Sequence, residues 1–148
     1  MRVNKLIGCR EFPCADVSRE CCSIPGVDVT PGDISIIMIS EAAPEDPDDY
    51  YCAEGNPLFR QTTVQAFNDA GANVSSIQDI LDLGVYLTTA VKCGKTRYGI
   101  ETGTIRECSC ILEKELGLFP DVKALLLMGD VAIKAVNYIA RRAPAGEE

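Results

Sequence analysis

The fold is decided by the stretch Val85-Tyr86-Leu87-Thr88-Thr89-Ala90-Val91, which runs directly into Lys92-Cys93. A short apolar run of this kind predicts a buried strand, as in parallel sheets that are covered on both faces. A second run, Ile34 to Ser40, has the same character and ends in Glu41-Ala42-Ala43-Pro44. Both predicted strands therefore end in chemically useful residues, at the edge of an α/β sheet where ligands bind.

The rest of the chain alternates between helical and strand patterns. Apolar spacing and capping signals predict helices over Leu58 to Ala70, Ser76 to Leu83, Thr104 to Leu118 and Val131 to Arg142. Val122 to Met128 predicts a third buried strand. We therefore expect an α/β fold, a three-layer α/β/α sandwich with a mainly parallel central sheet. One domain would cover residues 1–148, with residues 1–32 as its irregular, cysteine-bearing N-terminal segment.

Size and charge narrow the class of protein. The chain has 148 residues and a formal net charge of -8. The negative charge argues against non-specific electrostatic binding of nucleic acid over a broad surface. Near the end of the second strand, the basic side chains either form a local nucleic-acid-binding patch or are ordinary solvated loop charges. These side chains are Lys92, Lys95, Arg97 and Arg106. No apolar run has the length of a membrane span and no secretory signal is visible. We therefore expect a soluble, cytoplasmic protein.

Cysteine and histidine usage limits the chemistry. Eight cysteines without a secretory signal favour thiolate metal sites, redox chemistry or plain burial over disulfides. Histidine is absent, which excludes a mixed Cys/His zinc site and a histidine-based catalytic triad. The glycine-rich nucleotide-binding motifs are absent too, because Gly94-Lys95-Thr96 lacks the upstream glycine of a P-loop.

The order of motifs along the chain resembles the uracil-DNA glycosylase superfamily, above all its iron-sulfur branch, families 4 and 5. The resemblance covers Cys9 to about Ala140. Its motifs are Ser40-Glu41-Ala42-Ala43-Pro44, Gly55-Asn56-Pro57-Leu58, Thr88-Thr89-Ala90-Val91-Lys92-Cys93 and Leu127-Met128-Gly129-Asp130. The resemblance implies that the protein hydrolyses the N-glycosidic bond of a flipped-out uracil, or of another damaged base, in DNA repair.

The resemblance also implies a base-binding site. It places Ala42, Leu58 and Thr89 at positions that contact the base, with Thr89 where the family has Asn. A hydroxyl cannot supply the paired donor and acceptor of an amide, so bidentate recognition of uracil is lost. Leu58 stands where the family has the stacking ring, and Phe59 is the nearest substitute. Tyr50 and Tyr51 are further candidates for stacking, or they anchor their loop on the core.

For catalysis, the resemblance points to Glu41 as the acid that aligns or activates the hydrolytic water. Glu45 and Asp46 are nearby alternatives, or part of a solvated acidic loop. The family also carries a final His-Pro-Ser loop, which this chain lacks. We therefore expect either a C-terminally incomplete domain or a reduced relative.

The cysteines fit the same resemblance, which implies a 4Fe-4S cluster held by Cys9, Cys14, Cys93 and Cys108. Structural zinc on the same four thiolates, or inert buried thiols, are the alternatives. Cys110 would project from a different helical face than Cys108, and the cysteines left over are Cys21, Cys22 and Cys52.

Two other classes of function stay open beside the glycosylase. One is a non-catalytic relative that contains the metal cluster and acts as a nucleic-acid-binding or structural module. The other is a small nucleotide-binding α/β domain, which the absence of phosphate-binding motifs disfavours.

Overall fold

A computed structural model describes residues 1–9, 14–18, 24–44, 46–51, 53, 55, 57–96 and 99–142. Its sheet has the strand order β1-β3-β2-β4. The strands are β1 (Val17–Ser18), β2 (Ile36–Ala43), β3 (Val85–Lys95) and β4 (Ala124–Leu127). β2 pairs in parallel with β3 and β4, while β1 joins the end of β3 in the antiparallel sense. The predicted, mainly parallel sheet is confirmed.

Four helices cover this sheet. They are α1 (Leu58–Asp69), α2 (Ile77–Asp82), α3 (Thr102–Leu116) and α4 (Asp130–Arg142). α1 and α2 link β2 to β3. α3 links β3 to β4, which lies on the opposite side of β2 from β3 in the sheet. Right-handed crossovers in opposite directions place α3 on the face opposite to α1 and α2, and α4 packs against α3. The predicted three-layer sandwich is thus confirmed. No helix in the described ranges has the length and apolar character that crossing a membrane requires.

The N-terminal segment contributes more structure than its sequence predicts. Val17 and Ser18 pair with Lys95 and Gly94, which extends β3 beyond its predicted end at Val91. Two residues are too few to show a periodic pattern, so neither β1 nor this extension could be seen in the sequence.

The prediction of a third buried strand at Val122 to Met128 is wrong in one respect. A strand forms there, as β4, but its side chains are not buried: Leu125 is 36% exposed and Leu126 is 42% exposed. β4 lies at the edge of the sheet, and β2 is its one neighbour among the described strands. An apolar run predicts a strand, but whether other elements cover that strand depends on the fold.

The N-terminus of α2 follows the predicted capping signal. The backbone N–H of Asp79 donates to Ser76 Oγ (3.1 Å), so Ser76 is the N-cap. The Asp79 carboxylate in turn accepts bonds from the backbone N–H and the hydroxyl of Ser75 (both 2.9 Å). These bonds favour the charged carboxylate and lower the pKa of Asp79 below its ordinary value.

A buried polar network joins β3 to α3. Lys92 Nζ and the Glu115 carboxylate form an ion pair at 2.5 Å, and both side chains are 0% exposed. Lys92 Nζ also donates to Thr88 Oγ1 (2.6 Å) and to the Thr89 carbonyl (2.7 Å). Glu115 accepts further bonds from the hydroxyls of Tyr86 (2.7 Å) and Thr88 (2.9 Å). Both buried charges are therefore compensated and hydrogen-bonded.

This network corrects the sequence interpretation of Lys92. A fully buried ammonium belongs neither to a phosphate-binding patch nor to a solvated loop, whereas Arg106 is exposed. The Lys95 side chain and Arg97 lie outside the described residues.

Burial, together with the charge of Glu115, raises the pKa of the Tyr86 phenol above its ordinary value, so the phenol stays neutral and donates.

The cap predicts the effect of substitution at Ser76. Ser76→Ala removes the acceptor for the Asp79 N–H and should lower the free energy of unfolding by about 0.5–2 kcal/mol in urea titrations. Ser76→Asp supplies another acceptor and should restore most of the loss. The contribution of Asp79 should be present above the ordinary carboxyl pKa and fall as pH drops through its lowered value. An equal loss in Ser76→Asp would contradict the capping role.

The network predicts a larger effect in the core. Lys92→Met leaves the Glu115 carboxylate buried without its cation and should lower the free energy of unfolding by about 3–5 kcal/mol at pH 7. Lys92→Met combined with Glu115→Gln removes both charges and should be more stable than Lys92→Met alone. Glu113→Gln is the matched control, because its ion pair with Arg142 is exposed and should contribute under about 1 kcal/mol. Equal losses in Lys92→Met and Glu113→Gln would refute the role of the buried pair.

Candidate functional site

A cavity of 260 Å³ lies between α1 and one face of the sheet. β2 and β3 supply its floor, α1 supplies its wall, and the loop that follows β2 closes one side. The described residues that line it are Met38, Ser40, Tyr50, Tyr51, Phe59, Thr62, Thr63, Ala66, Phe67, Leu87, Thr88, Thr89 and Met128. The strand residues of the lining come from the middle of the paired segments of β2 and β3, a few residues before the strand ends at which the sequence predicted a site.

Three aromatic rings form one side of this pocket. The ring centroids of Tyr50 and Tyr51 are 4.9 Å apart, and Phe59 lies 6.4 and 6.2 Å from them. Tyr50 and Tyr51 are buried, and the Tyr51 hydroxyl donates to the Leu87 carbonyl at 2.5 Å. Tyr51 therefore anchors its loop on the core and also lines the pocket, so both interpretations of the tyrosines apply to it.

Arg60 fixes the loop that carries these rings. Its guanidinium donates to the carbonyls of Tyr51 (2.9 Å) and Gly55 (2.5 Å), and also to that of Ala53. A planar group with five donors suits several carbonyls at once. No pattern in the sequence predicts this contact, because it depends on how the loop folds back over the start of α1.

The pocket brings together two of the four predicted base-binding residues. Phe59 and Thr89 both line it, with Phe59 39% exposed at the mouth and Thr89 buried on the floor. Leu58 is 67% exposed, and neither Leu58 nor Ala42 is among the described lining residues. The aromatic position of the site thus falls on Phe59, one place after the position given by the motif.

Glu41 lies at the end of β2 and is half-buried. Side chains alternate between the faces of a strand, so Glu41 shares the side of Ile37 and Ile39, while Met38 and Ser40 line the pocket. Asp46 is exposed, and its carboxylate accepts the backbone N–H of Asp48 (2.9 Å). Glu45 lies outside the described residues. No described carboxylate is part of the lining itself.

The four cysteines of the predicted cluster lie around the first half of α3. The backbone N–H of Lys92 donates to Cys108 Sγ (3.2 Å). Cys93 is the next residue of β3 and therefore lies near the same part of the helix. Burial raises the pKa of the Cys14 thiol above its ordinary value, and the charge of the neighbouring Cys9 raises the pKa further. A hydrogen bond with Thr104 on α3 acts in the opposite direction and lowers this pKa. Cys93 and Cys108 are buried, whereas Cys9 and Cys14 are half-buried.

The side chains at this corner include four thiols, the ligand type that the sequence predicted for a metal cluster. Backbone N–H bonds to sulfur, such as that from Lys92 to Cys108, also occur around iron-sulfur clusters. Within the described ranges, no three Cys, Asp or Glu side chains stand close enough together to hold a metal ion. Cys110 is exposed, on a different side of α3 from Cys108, and the remaining cysteines, Cys21, Cys22 and Cys52, lie outside the described residues.

Comparison with known proteins gives a partial match. The chain is 36% identical over 58 residues to the type-5 uracil-DNA glycosylase of Thermus thermophilus. The matched stretch covers 39% of this chain and 26% of that relative. No protein-family profile matches the chain, and no solved structure matches it. The similarity thus supports a relation to the uracil-DNA glycosylase superfamily over a limited part of either protein.

Proposed function

We propose that this protein is a DNA glycosylase of the uracil-DNA glycosylase type, which hydrolyses the N-glycosidic bond of a uracil or another damaged base. The observation that carries the proposal is the pocket between α1 and the sheet, in which Phe59 and Thr89 come together. The partial similarity to a type-5 uracil-DNA glycosylase supports the same reaction class. DNA would be the partner.

The pocket suits a base that has been flipped out of the helix. A planar ring would stack on Phe59, and stacking on an aromatic side chain contributes about 1–3 kcal/mol per base. The apolar walls exclude water around the ring, which strengthens any electrostatic interaction with the base as it departs as an anion. The sugar would stay at the mouth, where Phe59 and Met128 are exposed.

For the attack of water on the sugar we propose the Glu41 carboxylate. The lining described here holds no carboxylate, so an acid that acts on this water has to reach it from the rim. Glu41 follows Ser40 but lies on the other face of β2, so its carboxylate would have to reach the water around the end of the strand. Asp46 is the alternative acid in the next loop. A carboxylate in that position would orient the water and stabilise positive charge that develops on the sugar.

We further propose that Cys9, Cys14, Cys93 and Cys108 hold a 4Fe-4S cluster, with zinc on the same thiolates as the alternative. The support for this set is that Cys14 contacts Thr104 on α3 and that the Lys92 backbone N–H donates to Cys108 on the same helix. The thiols would have to move closer together to share a metal ion. The cluster would have a structural role, tying the N-terminal segment to β3 and α3. We also propose a cytoplasmic location, where the reducing environment keeps thiolate ligands available.

A second candidate function is binding of nucleic acid without catalysis. One observation favours it: no carboxylate is present in the described lining of the pocket. In that case the pocket would hold an extruded base without breaking its glycosidic bond.

Base release tests the proposal directly. The protein should generate alkali-labile abasic sites in single- or double-stranded oligonucleotides that carry one uracil. Glu41→Gln should lower the single-turnover rate about 10- to 1000-fold, the range of one acid-base or electrostatic group, with DNA affinity nearly unchanged. Asp46→Asn, made in parallel, tests the alternative acid.

Substitutions in the pocket complete this experiment. Phe59→Ala should weaken the binding of uracil-containing DNA by about 1–3 kcal/mol, and Leu58→Ala should weaken it less. Gln65→Ala, on the exposed side of α1, serves as the control. Full activity in Glu41→Gln would refute its catalytic assignment, and specific DNA binding without base release would favour the second candidate function.

The cluster proposal has its own test. Protein purified without oxygen should be brown and absorb broadly in the visible range, with about four irons per chain, as cysteine-ligated clusters do. Cys93→Ala should lose the colour and iron, while Cys110→Ala, with its exposed thiol, should keep both. Protein that stays free of iron and zinc after anaerobic reconstitution would rule out the metal site.

A further inference from the structure

The loop between β2 and α1, residues 44–57, supplies two of the rings that line the pocket. Tyr50 and Tyr51 are both buried and both belong to the lining. The regular structure in the described part of this loop is a short 3-10 turn at Pro47–Asp49. A loop with so little structure of its own depends on contacts with other elements for its position.

Two side chains hold the loop in that position. Toward the sheet, the Tyr51 hydroxyl donates to the Leu87 carbonyl of β3 (2.5 Å). Toward α1, each of the three nitrogens of the Arg60 guanidinium donates to a loop carbonyl. Nε donates to Tyr51 (2.9 Å), Nη1 to Gly55 (2.5 Å) and Nη2 to Ala53. Bonds from a charged donor are about twice as strong as neutral ones, so Arg60 is the stronger of the two attachments.

The attachment at Arg60 sets how the aromatic rings of the pocket stand relative to one another. Tyr50 and Tyr51 belong to the loop, whereas Phe59 belongs to α1, and the ring centroids lie 4.9 to 6.4 Å apart. Arg60 follows Phe59 in the chain, so its bonds join the loop to the helix beside the ring on which a base would stack. If the loop moved away from α1, the tyrosine rings would leave Phe59 and the pocket would lose that side.

We infer that Arg60 is a positioning residue for the pocket, and that its guanidinium serves the loop rather than a DNA phosphate. This inference rests on the proposed function, in which a flipped-out base enters the pocket. Arginine beside a DNA site commonly binds the phosphate backbone, but here all three nitrogens donate to carbonyls. Without these bonds, the loop and both tyrosine rings would have to become ordered when the base binds, and that ordering lowers the affinity.

The first test needs no DNA. Chymotrypsin cleaves after tyrosine, and Tyr50 and Tyr51 are protected as long as the loop stays closed. Arg60→Met and Arg60→Lys should be cut after these residues under conditions that leave the wild type intact there, with the cleavage sites located by mass spectrometry. Arg60→Lys keeps the charge but has one nitrogen in place of three. Arg141→Met is the control for the loss of one positive charge, since Arg141 is exposed in the last turn of α4.

The second test separates the base from the rest of the DNA. One fluorescein-labelled single strand carries the 2′-fluoro analogue of deoxyuridine, whose glycosidic bond is slow to break. A matched strand carries a tetrahydrofuran abasic site at the same position. In fluorescence anisotropy, both Arg60 variants should bind the uracil strand about 5- to 50-fold more weakly than the wild type, because the loop has to be ordered on binding. Their affinity for the abasic strand should stay within about 2-fold, since the phosphate contacts are unchanged.

Salt dependence distinguishes positioning from a phosphate contact. The slope of log affinity against log salt concentration should be the same in Arg60→Met as in the wild type. A phosphate contact would make this slope shallower by about one in Arg60→Met, and Arg60→Lys would keep the contact. A shallower slope, equal losses on the uracil and abasic strands, full recovery in Arg60→Lys, or a loop that stays protected in Arg60→Met would overturn the inference.

Base release from strands with ordinary deoxyuridine, measured in parallel, separates this inference from the proposed function. Release that Arg60→Met retains at the full rate and affinity overturns the inference and leaves the glycosylase proposal standing. Base-dependent binding that falls in both Arg60 variants, without release of any base by the wild type, supports the inference and overturns the glycosylase proposal. A wild type that binds both strands equally, or neither, overturns the inference, and base release then decides the glycosylase proposal alone.

Discussion

The buried ion pair between Lys92 and Glu115 is the constraint on which the arrangement of the sheet and α3 depends. Removing two charges from water costs several kcal/mol per ion unless hydrogen bonds compensate each of them. Here Lys92 Nζ has three partners, and Glu115 accepts from Lys92, Thr88 and Tyr86. α3 cannot shift along β3 without leaving a buried charge or hydroxyl unpaired. The network therefore fixes the register of the helix on the strand.

The same network reaches the pocket through the backbone of β3. Tyr86, Thr88 and Lys92 direct their polar atoms toward α3, whereas Leu87 and Thr89 line the pocket on the other face. The hydrogen bond from Lys92 Nζ to the Thr89 carbonyl connects the buried network to a residue that lines the pocket. A change in the ion pair would thus alter the position of Thr89 on the floor of the pocket. The stabilising network and the floor of the pocket share one strand in this protein.

Much of the fold could be predicted from the sequence because its signals are local. Apolar runs and the cap at Ser76 gave the parallel strands and the helices to within a few residues. The exposure of β4 and the burial of Lys92 could not be predicted, since both depend on which elements meet in three dimensions. A signal for the network did exist: Glu115 falls on the apolar stripe of α3 with Cys108 and Leu112, and a charged residue there needs a buried partner. In the pocket, Phe59 and Thr89 are lining residues to which the motifs had pointed. The contact of Ser40 with Thr88 depends on strand pairing, and the contacts of Arg60 depend on how the preceding loop folds back.

The cysteine corner adds to the attachment of α3 on β3. The backbone N–H of Lys92 donates to Cys108 Sγ, and the side chain of Lys92 pairs with Glu115, about two helical turns further along α3. One strand residue thus holds the helix at two points, and two points define the direction of the helix as well as its position. A cluster on Cys93 and Cys108 would add a third tie at the same end and would extend it to the N-terminal segment through Cys14. Because Lys92 makes both of these contacts with its own atoms, a cluster would mainly order the N-terminal segment rather than the sheet.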